Sequence, residues 1–261
     1  MSNTTSSAVT TVWDRVVGAI DLTTASIQAA RTAAGLMPPA ATLTLCAVVG
    51  HKALEPTAVV DQALTREAQE WLDQAQAEIQ PVRDAELHLR EGPPIRRLLD
   101  ELHAERATLV AVGRPGHTRA AGIGLGSVTT AMLQEAPCSV LIADDSKRAD
   151  GELMVGYDGS GGARRALAAG RELAERLSLT LRVIVATGDA HPPGPGWSRE
   201  ELGSELLVAE DPRSAVEALI DGSRSARLLI LGSRHLHGVM ALASVSENAA
   251  LRAHCPVLVV R

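Results

Sequence analysis

The chain of 261 residues has no phenylalanine, one tyrosine and three tryptophans. So little aromatic surface argues against the stacking platforms that hold single-stranded nucleic acid. Lysine and arginine nowhere form a block, and the formal net charge is −6. Both facts disfavour a nucleic-acid or anionic-membrane role. Residues 1–147 carry 12 basic and 17 acidic side chains, against 13 and 14 in residues 148–261. No apolar run reaches the ~20 residues of a membrane span. The opening MSNTTSSAVTT lacks the basic and apolar stretches of a secretory signal and reads as a short disordered lead. Three cysteines, Cys46, Cys138 and Cys255, offer neither a disulfide framework nor a paired metal spacing. Each lies in an apolar run, as a small buried hydrophobe would, and the usage fits a reducing cytoplasm. His51, His88, His103, His117, His191 and His254 show no ligand spacing either.

Several motifs are missing too. There is no G-x-x-x-x-G-K-[ST], and Gly122, Gly124 and Gly126 give G-x-G-x-G, which misses the dinucleotide fingerprint. No nucleophile–histidine–acid trio or catalytic carboxylate pair stands out.

What is present is a 46% hydrophobic content, mostly Ala, Leu and Val. That favours Val/Leu-rich buried strands covered by Ala/Leu helices, the α/β pattern. The second half also echoes the first: DRVVGAIDLTTASIQAARTAAGL matches GELMVGYDGSGGARRALAAGREL, and GSVTTAMLQEAPCSVLIA matches ASVSENAALRAHCPVLVV. Asp21 and Asp158 are 137 residues apart, Gly113 and Gly232 are 119 apart, and Cys138 and Cys255 are 117 apart. The second copy is therefore 18 residues shorter between its second and third strands and two shorter in its glycine loop. The first gap falls opposite ALTREAQEWLDQAQAEI, a charged, helix-favouring stretch with Trp71 and Ile79 on a plausible inner face. The second copy has HPPGPGWSREELG there, so most or all of that helix should be lost.

Two homologous α/β domains are expected, residues 1–147 and 148–261, joined by DDSKRADG. Each should be a five-stranded parallel sheet flanked by helices. In the first copy the strands fall near 15–20, 42–49, 84–90, 107–113 and 138–143, and the helices near 24–35, 58–79, 93–103 and 127–136.

The segment VAVGRPGHTRAAGIGLGSVTTAML is the sharpest functional signal. Between a strand-like and a helix-like run it places Gly113, Gly116, then Gly126-Ser127. Glycines at such a junction permit positive φ and close approach to a ligand. The N–H groups of the following helix start form an anion site, with the Ser127 and Thr129 hydroxyls at the same end. Glycines alone fit a tight loop with close helix–sheet packing equally well. Asp21 follows strand one, where it would share a crevice with the loop after strand four. Its other reading is a helix cap before TTAS. A phospho-acceptor role would want an acidic neighbour, and Leu22 follows instead.

These features together resemble a tandem-domain universal stress protein over nearly the whole chain. The marks are Asp21, the glycine spacing, APCSVLIA, and in the second copy VGYDGS and HCPVLVV. The resemblance implies a Rossmann-like fold of the adenine-nucleotide alpha-hydrolase type and a cytoplasmic stress-response protein that binds ATP, with or without Mg²⁺ or Mn²⁺. It implies a role for Asp21 near the adenosine, for Ala47 at the adenine, for Val112 and Gly113 under the ribose and phosphates, for Gly116 in the loop, and for Gly126, Ser127, Val128 and Thr129 as the phosphate-binding turn. Pro115 departs from the family's usual His or Arg, and proline has no N–H. The last strands, CSVLIAD and CPVLVVR, are expected to pair within the chain as an internal pseudo-dimer, which would protect sheet edges. A homodimer of chains is compatible with this. In the second copy Asp158, Gly159, Ser160 and Gly232 remain. His235 replaces a loop glycine and Ala243-Ser244 replaces Gly-Ser, so that site is read as degenerate and His235 and His237 as a solvated loop pair, the alternative being that Gly238 re-forms a different loop in which they touch a phosphate. Two rivals stay open: slow ATP hydrolysis, and a structural or interaction protein that binds no nucleotide.

Overall fold

The valine- and leucine-rich runs form ten strands of one sheet. The computed structural model describes residues 13–50, 58–114, 126–145, 150–188, 198–203, 206–233 and 245–261. The first half runs β1 (Arg15–Ile20), α1 (Thr24–Leu36), β2 (Thr42–Val49), α2 (Ala58–Ile79), β3 (Glu86–Glu91), α3 (Pro94–Ala104), β4 (Leu109–Gly113), α4 (Ser127–Glu135) and β5 (Ser139–Ala143). The second half runs β6 (Glu152–Gly156), α5 (Gly161–Leu177), β7 (Leu181–Ala186), α6 (Arg199–Leu202), β8 (Leu207–Asp211), α7 (Ala215–Gly222), β9 (Ala226–Gly232), α8 (Val245–Arg252) and β10 (Val257–Val260). The expected strands and helices of the first half appear within two or three residues of their sequence positions.

The strand order is β3-β2-β1-β4-β5-β10-β9-β6-β7-β8, so the second half repeats the first half's order about a central seam. Every pairing is parallel except β5 with β10. There the pairs are Val140↔Val259, Leu141↔Leu258 and Ile142↔Val257. Leu141 and Leu258 are 117 residues apart and are repeat equivalents, so Leu141 pairs with its own counterpart. The seam thus lies on an internal two-fold relation, as in an isologous dimer. The two last strands cover each other's open edge, as expected.

Helices cover both faces, the usual arrangement for parallel sheets. On one face α1, α2 and α5 press Ala29, Ala30, Ala33, Leu72, Ala75, Ile79, Ala166 and Leu173 against Leu45, Leu109, Leu141 and Val183. On the other, α3, α4, α7 and α8 bring Leu98, Leu102, Met132, Leu219 and Ala250 against Val110, Val140, Leu229 and Val257. Alternation along each strand feeds both cores. In α2 the inner stripe is Ala68, Leu72, Ala75 and Ile79 at helical spacing, with Trp71 only partly buried at its rim. Its second-half counterpart, α6, has four residues among those described, in line with the shortening read from the repeat offsets. The three cysteines are free and buried, and burial pushes the thiols of Cys46 and Cys138 up to about 12. Among the described residues no helix is long and apolar enough to cross a membrane.

Candidate functional site

β1 and β4 are parallel neighbours, with Gly18 level with Ala111. The chain leaves β1 towards β2 on one side and arrives at β4 on the other. This is the switch point at which such sheets bind ligands, beyond the strands' carboxyl ends. Asp21 emerges there, exposed. Its carboxylate accepts a hydrogen bond from the Thr23 hydroxyl at 2.6 Å. Thr23, not Asp21, is the N-cap of α1: its side chain accepts from the Ser26 N–H at 3.2 Å. Asp21 therefore braces the cap, and its exposure leaves it open to the crevice. Leu22 between them has φ +64° and is 38% exposed. The tight turn demands a left-handed residue, and a leucine accepts it at about 1–2 kcal/mol.

Gly113 ends β4 under the start of α1. A Cβ there would lie 2.7 Å from the Ser26 nitrogen, so the missing side chain makes room for the helix. Val112, just before it, is buried on the α3/α4 face. Ala47 lies on β2 level with Ile20, the residue before Asp21, and is buried.

Gly126 opens α4 with φ +83° and ψ +151°, a conformation that excludes a Cβ-bearing residue without strain. Among the described residues no side chain caps this helix start. The N–H groups of its first turn, at Ser127, Val128 and Thr129, have no helical acceptor. Gly126 and Ser127 are exposed and Val128 half-buried, so the turn opens at the surface before Thr129 goes under. Thr129 is 4% exposed, and its hydroxyl donates to the Gly113 carbonyl at 2.8 Å. That hydroxyl is a latch between the helix and the strand end. Gly116 and Pro115 lie outside the described residues, as do His235, His237, Gly238, Ala243 and Ser244.

The second half preserves much of this frame. Asp158 accepts from the Ser160 N–H at 3.0 Å, and Ser160 caps α5 by accepting from the Ala163 N–H at 3.1 Å. Gly159 occupies the place of Leu22 with φ +78°. A Cβ on Gly232 would lie 2.6 Å from the Ala163 nitrogen, so Gly232 is required by packing. Ser246 donates to the Gly232 carbonyl at 3.1 Å, as Thr129 does to Gly113. The helix starts differ: α4 has no acidic residue in its first turn, whereas α8 has Glu247 there. Burial pushes the Glu247 carboxyl up, against a hydrogen bond with Gln134 that lowers it. A carboxyl already sits where an incoming phosphate would need positive potential.

Sequence reasoning overlooked Arg114. It is 2% exposed and directs its guanidinium to Asp144 at 2.5 Å and to the Ala250 carbonyl of α8 at 2.8 Å. The available signal was an arginine in the loop where the second copy has Ser233. It also overlooked a polar network on the α3 face. Among the described residues His88, Glu101 and Glu105 bring nitrogen and carboxylate atoms within 4.8 Å of one another, a metal-like grouping. However, Arg90 donates to both oxygens of Glu101, at 2.7 and 3.2 Å, and His88 also contacts Glu101. Burial pushes the Glu101 carboxyl up, but the bonds from Arg90 and His88 prevail and hold it below the usual range. The guanidinium already supplies the positive charge that this buried carboxylate needs, so the cluster is an ion-pair network. At the matching register of the second half Ile184 faces Ala209, so the fold itself does not require the network.

The Universal stress protein family model matches residues 13–144 and 198–261. A universal stress protein of Mycolicibacterium smegmatis is 30% identical over 200 residues, 66% of this chain and 67% of that protein. One of Mycobacterium tuberculosis is 29% identical over 212 residues, 66% of this chain and 71% of its own length. Among solved structures, a universal stress protein from Archaeoglobus fulgidus superposes with a TM-score of 0.77 at 19% identity, covering 95% of this chain and 98% of that one. A second, described as a putative universal stress protein from Pseudomonas aeruginosa, gives 0.62 at 18% identity, covering 96% and 94%. The chain belongs to the universal stress protein family, and its two-repeat α/β fold is that of these structures.

Proposed function

We propose that this universal stress protein binds ATP in its first repeat and serves as a cytoplasmic regulatory protein of the stress response. Residues 1–147 form the nucleotide domain, and residues 148–261 a partner domain whose own site is degenerate. One observation carries the reading: the first turn of α4, opened by Gly126 and uncapped by any side chain among the described residues, is latched to Gly113 at the end of β4, the strand beside β1, which Asp21 follows. Backbone donors at a helix start favour phosphate. Asp21 and the strand level of Ala47 would face the nucleoside, Val112 and Gly113 would underlie the ribose, and Gly116 would complete the loop. A Mg²⁺ or Mn²⁺ ion would travel with the phosphates, as hydrated divalent cations do.

The experiment is equilibrium binding of ATP to the wild type and to Gly126→Val. The reading expects one ATP per chain and its loss in the variant. No binding by the wild type would favour a purely structural protein. Product formation above blank, lost in Gly126→Val, would favour a slow ATPase.

A further inference from the structure

Two arginines cross the β5–β10 seam and reach equivalent carbonyls from non-equivalent places. Arg261, directly after β10, donates to the Leu133 carbonyl at 2.6 Å and to that of Met132 at 3.3 Å, at the C-terminal end of α4. Arg114, directly after β4, donates to the Ala250 carbonyl at 2.8 Å, at the C-terminal end of α8. Leu133 and Ala250 are 117 residues apart and are repeat equivalents. Yet Arg114 corresponds to Ser233 and Arg261 to Asp144, so repeat symmetry alone does not explain the pair. The last carbonyls of a helix lack helical partners and carry its negative end. A guanidinium there satisfies both needs. Burial lowers the Arg261 pKa from its ordinary value, and its backbone N–H is tied to the Ser139 hydroxyl at 3.3 Å. The side chain is thus held across the seam by an anchored main chain.

The other end of α4 is the candidate phosphate turn. This helix has nine residues, a rod of ~13 Å. At its start the Thr129–Gly113 latch holds it, and among the described residues no side chain caps it. At its end the second repeat holds it. A binding site must be kept to within ~0.5 Å of its working geometry by the groups behind it.

We propose that Arg261 is a positioning residue for the nucleotide site, by which the second repeat fixes the helix that presents the phosphate donors of the first. The inference rests on the nucleotide reading above, and it assigns the second repeat a task even though its own site is degenerate. By linkage, ligand at the Ser127 end and the arginine at the Leu133 end strengthen one another.

The test uses the full chain as wild type, Arg261→Gln, Arg261→Lys and Arg114→Ser. Amide hydrogen exchange is measured without nucleotide, and ATP affinity by calorimetry. In Arg261→Gln, exchange over residues 127–135 should rise and ATP binding weaken, each roughly 5- to 30-fold. Exchange in β1 and β2 should stay put. Arg261→Lys should recover part of both, and it decides the matter if the glutamine variant does not fold. Arg114→Ser should loosen α8 instead of α4. Unchanged exchange over 127–135, unchanged ATP affinity, or a rise spread evenly over β5 and β10 would each overturn the positioning role. If the wild type binds no ATP, the nucleotide reading fails, while the exchange data still show whether Arg261 orders α4.

Discussion

The two repeats share a frame around the candidate site and differ there at one helix start. Both keep an aspartate after the first strand, a hydroxyl cap, a glycine at the end of the fourth strand and a hydroxyl latch onto it. Gly113 and Gly232 are therefore held by packing against α1 and α5, whatever either repeat binds. The features that set the first repeat apart are different in kind: Gly126 at φ +83°, where the second copy has Ala243, and an acid-free first turn of α4, where α8 has Glu247. The residues that look most like a motif are thus largely architectural. Those that would distinguish an occupied site from an empty one sit at Gly126 and in the turn after it.

The comparison can be broken most sharply at Gly126. Replacement by valine forces a branched side chain into a conformation costing about 1–3 kcal/mol and buries the donors. ATP affinity should fall at least tenfold while the second repeat stays intact, as read by calorimetry and by hydrogen exchange over β6 to β9. The reverse test concerns packing. Gly113→Ala and Gly232→Ala should each destabilise the fold by roughly 1–3 kcal/mol in urea unfolding, because each added Cβ meets helix backbone. A neutral Gly232→Ala would leave the second repeat's glycine without its packing explanation.

The acidic limb of stability should separate the halves next. The folded Glu101 carboxyl titrates below its ordinary value, so its contribution is present above the unfolded value near 4.5 and lost as pH falls through the folded one. Glu101→Gln should cost about 1–2 kcal/mol at neutral pH. It should also flatten the loss of stability on acidification below 4.5, measured by denaturant unfolding at several pH values. In the second half the carboxyls held below their ordinary values, Asp211 by Arg213 and Glu217 by Ser214, lie nearer the solvent, so their share of the acidic limb should be smaller. The smallest effect is expected at Leu22: replacement by glycine, the residue its counterpart Gly159 already is, should leave stability unchanged or raise it by up to ~1 kcal/mol.

Much of this was legible in the chain. Short apolar runs placed β1, β2, β4 and β5, because a strand buried on both faces is largely apolar, and the expected strand near 84–90 appears as β3 although it carries His88 and Arg90. Repeat offsets located the shortened α6, since a missing helix leaves a gap that no residue type can disguise. Asp21 was legible as a strand-end residue, but its part in the Thr23 cap was not, because competing hydroxyls at positions 21 to 26 satisfy one helix start in several ways. Thr129 read as a phosphate hydroxyl and proved to be a latch, since hydroxyl chemistry alone does not say which way the side chain turns.

By itself the sequence determined the fold class, the repeat, the family and the candidate residues, because hydrophobic period and glycine spacing are local properties of the chain. Only the tertiary structure decided what joins the halves. The antiparallel seam at Leu141 and Leu258, and the arginines that cross it to Leu133 and Ala250, link residues 117 to 136 positions apart. No local pattern encodes such contacts. They exist because two sheet edges meet, and because helix ends with unpaired carbonyls then lie within reach of a buried positive charge.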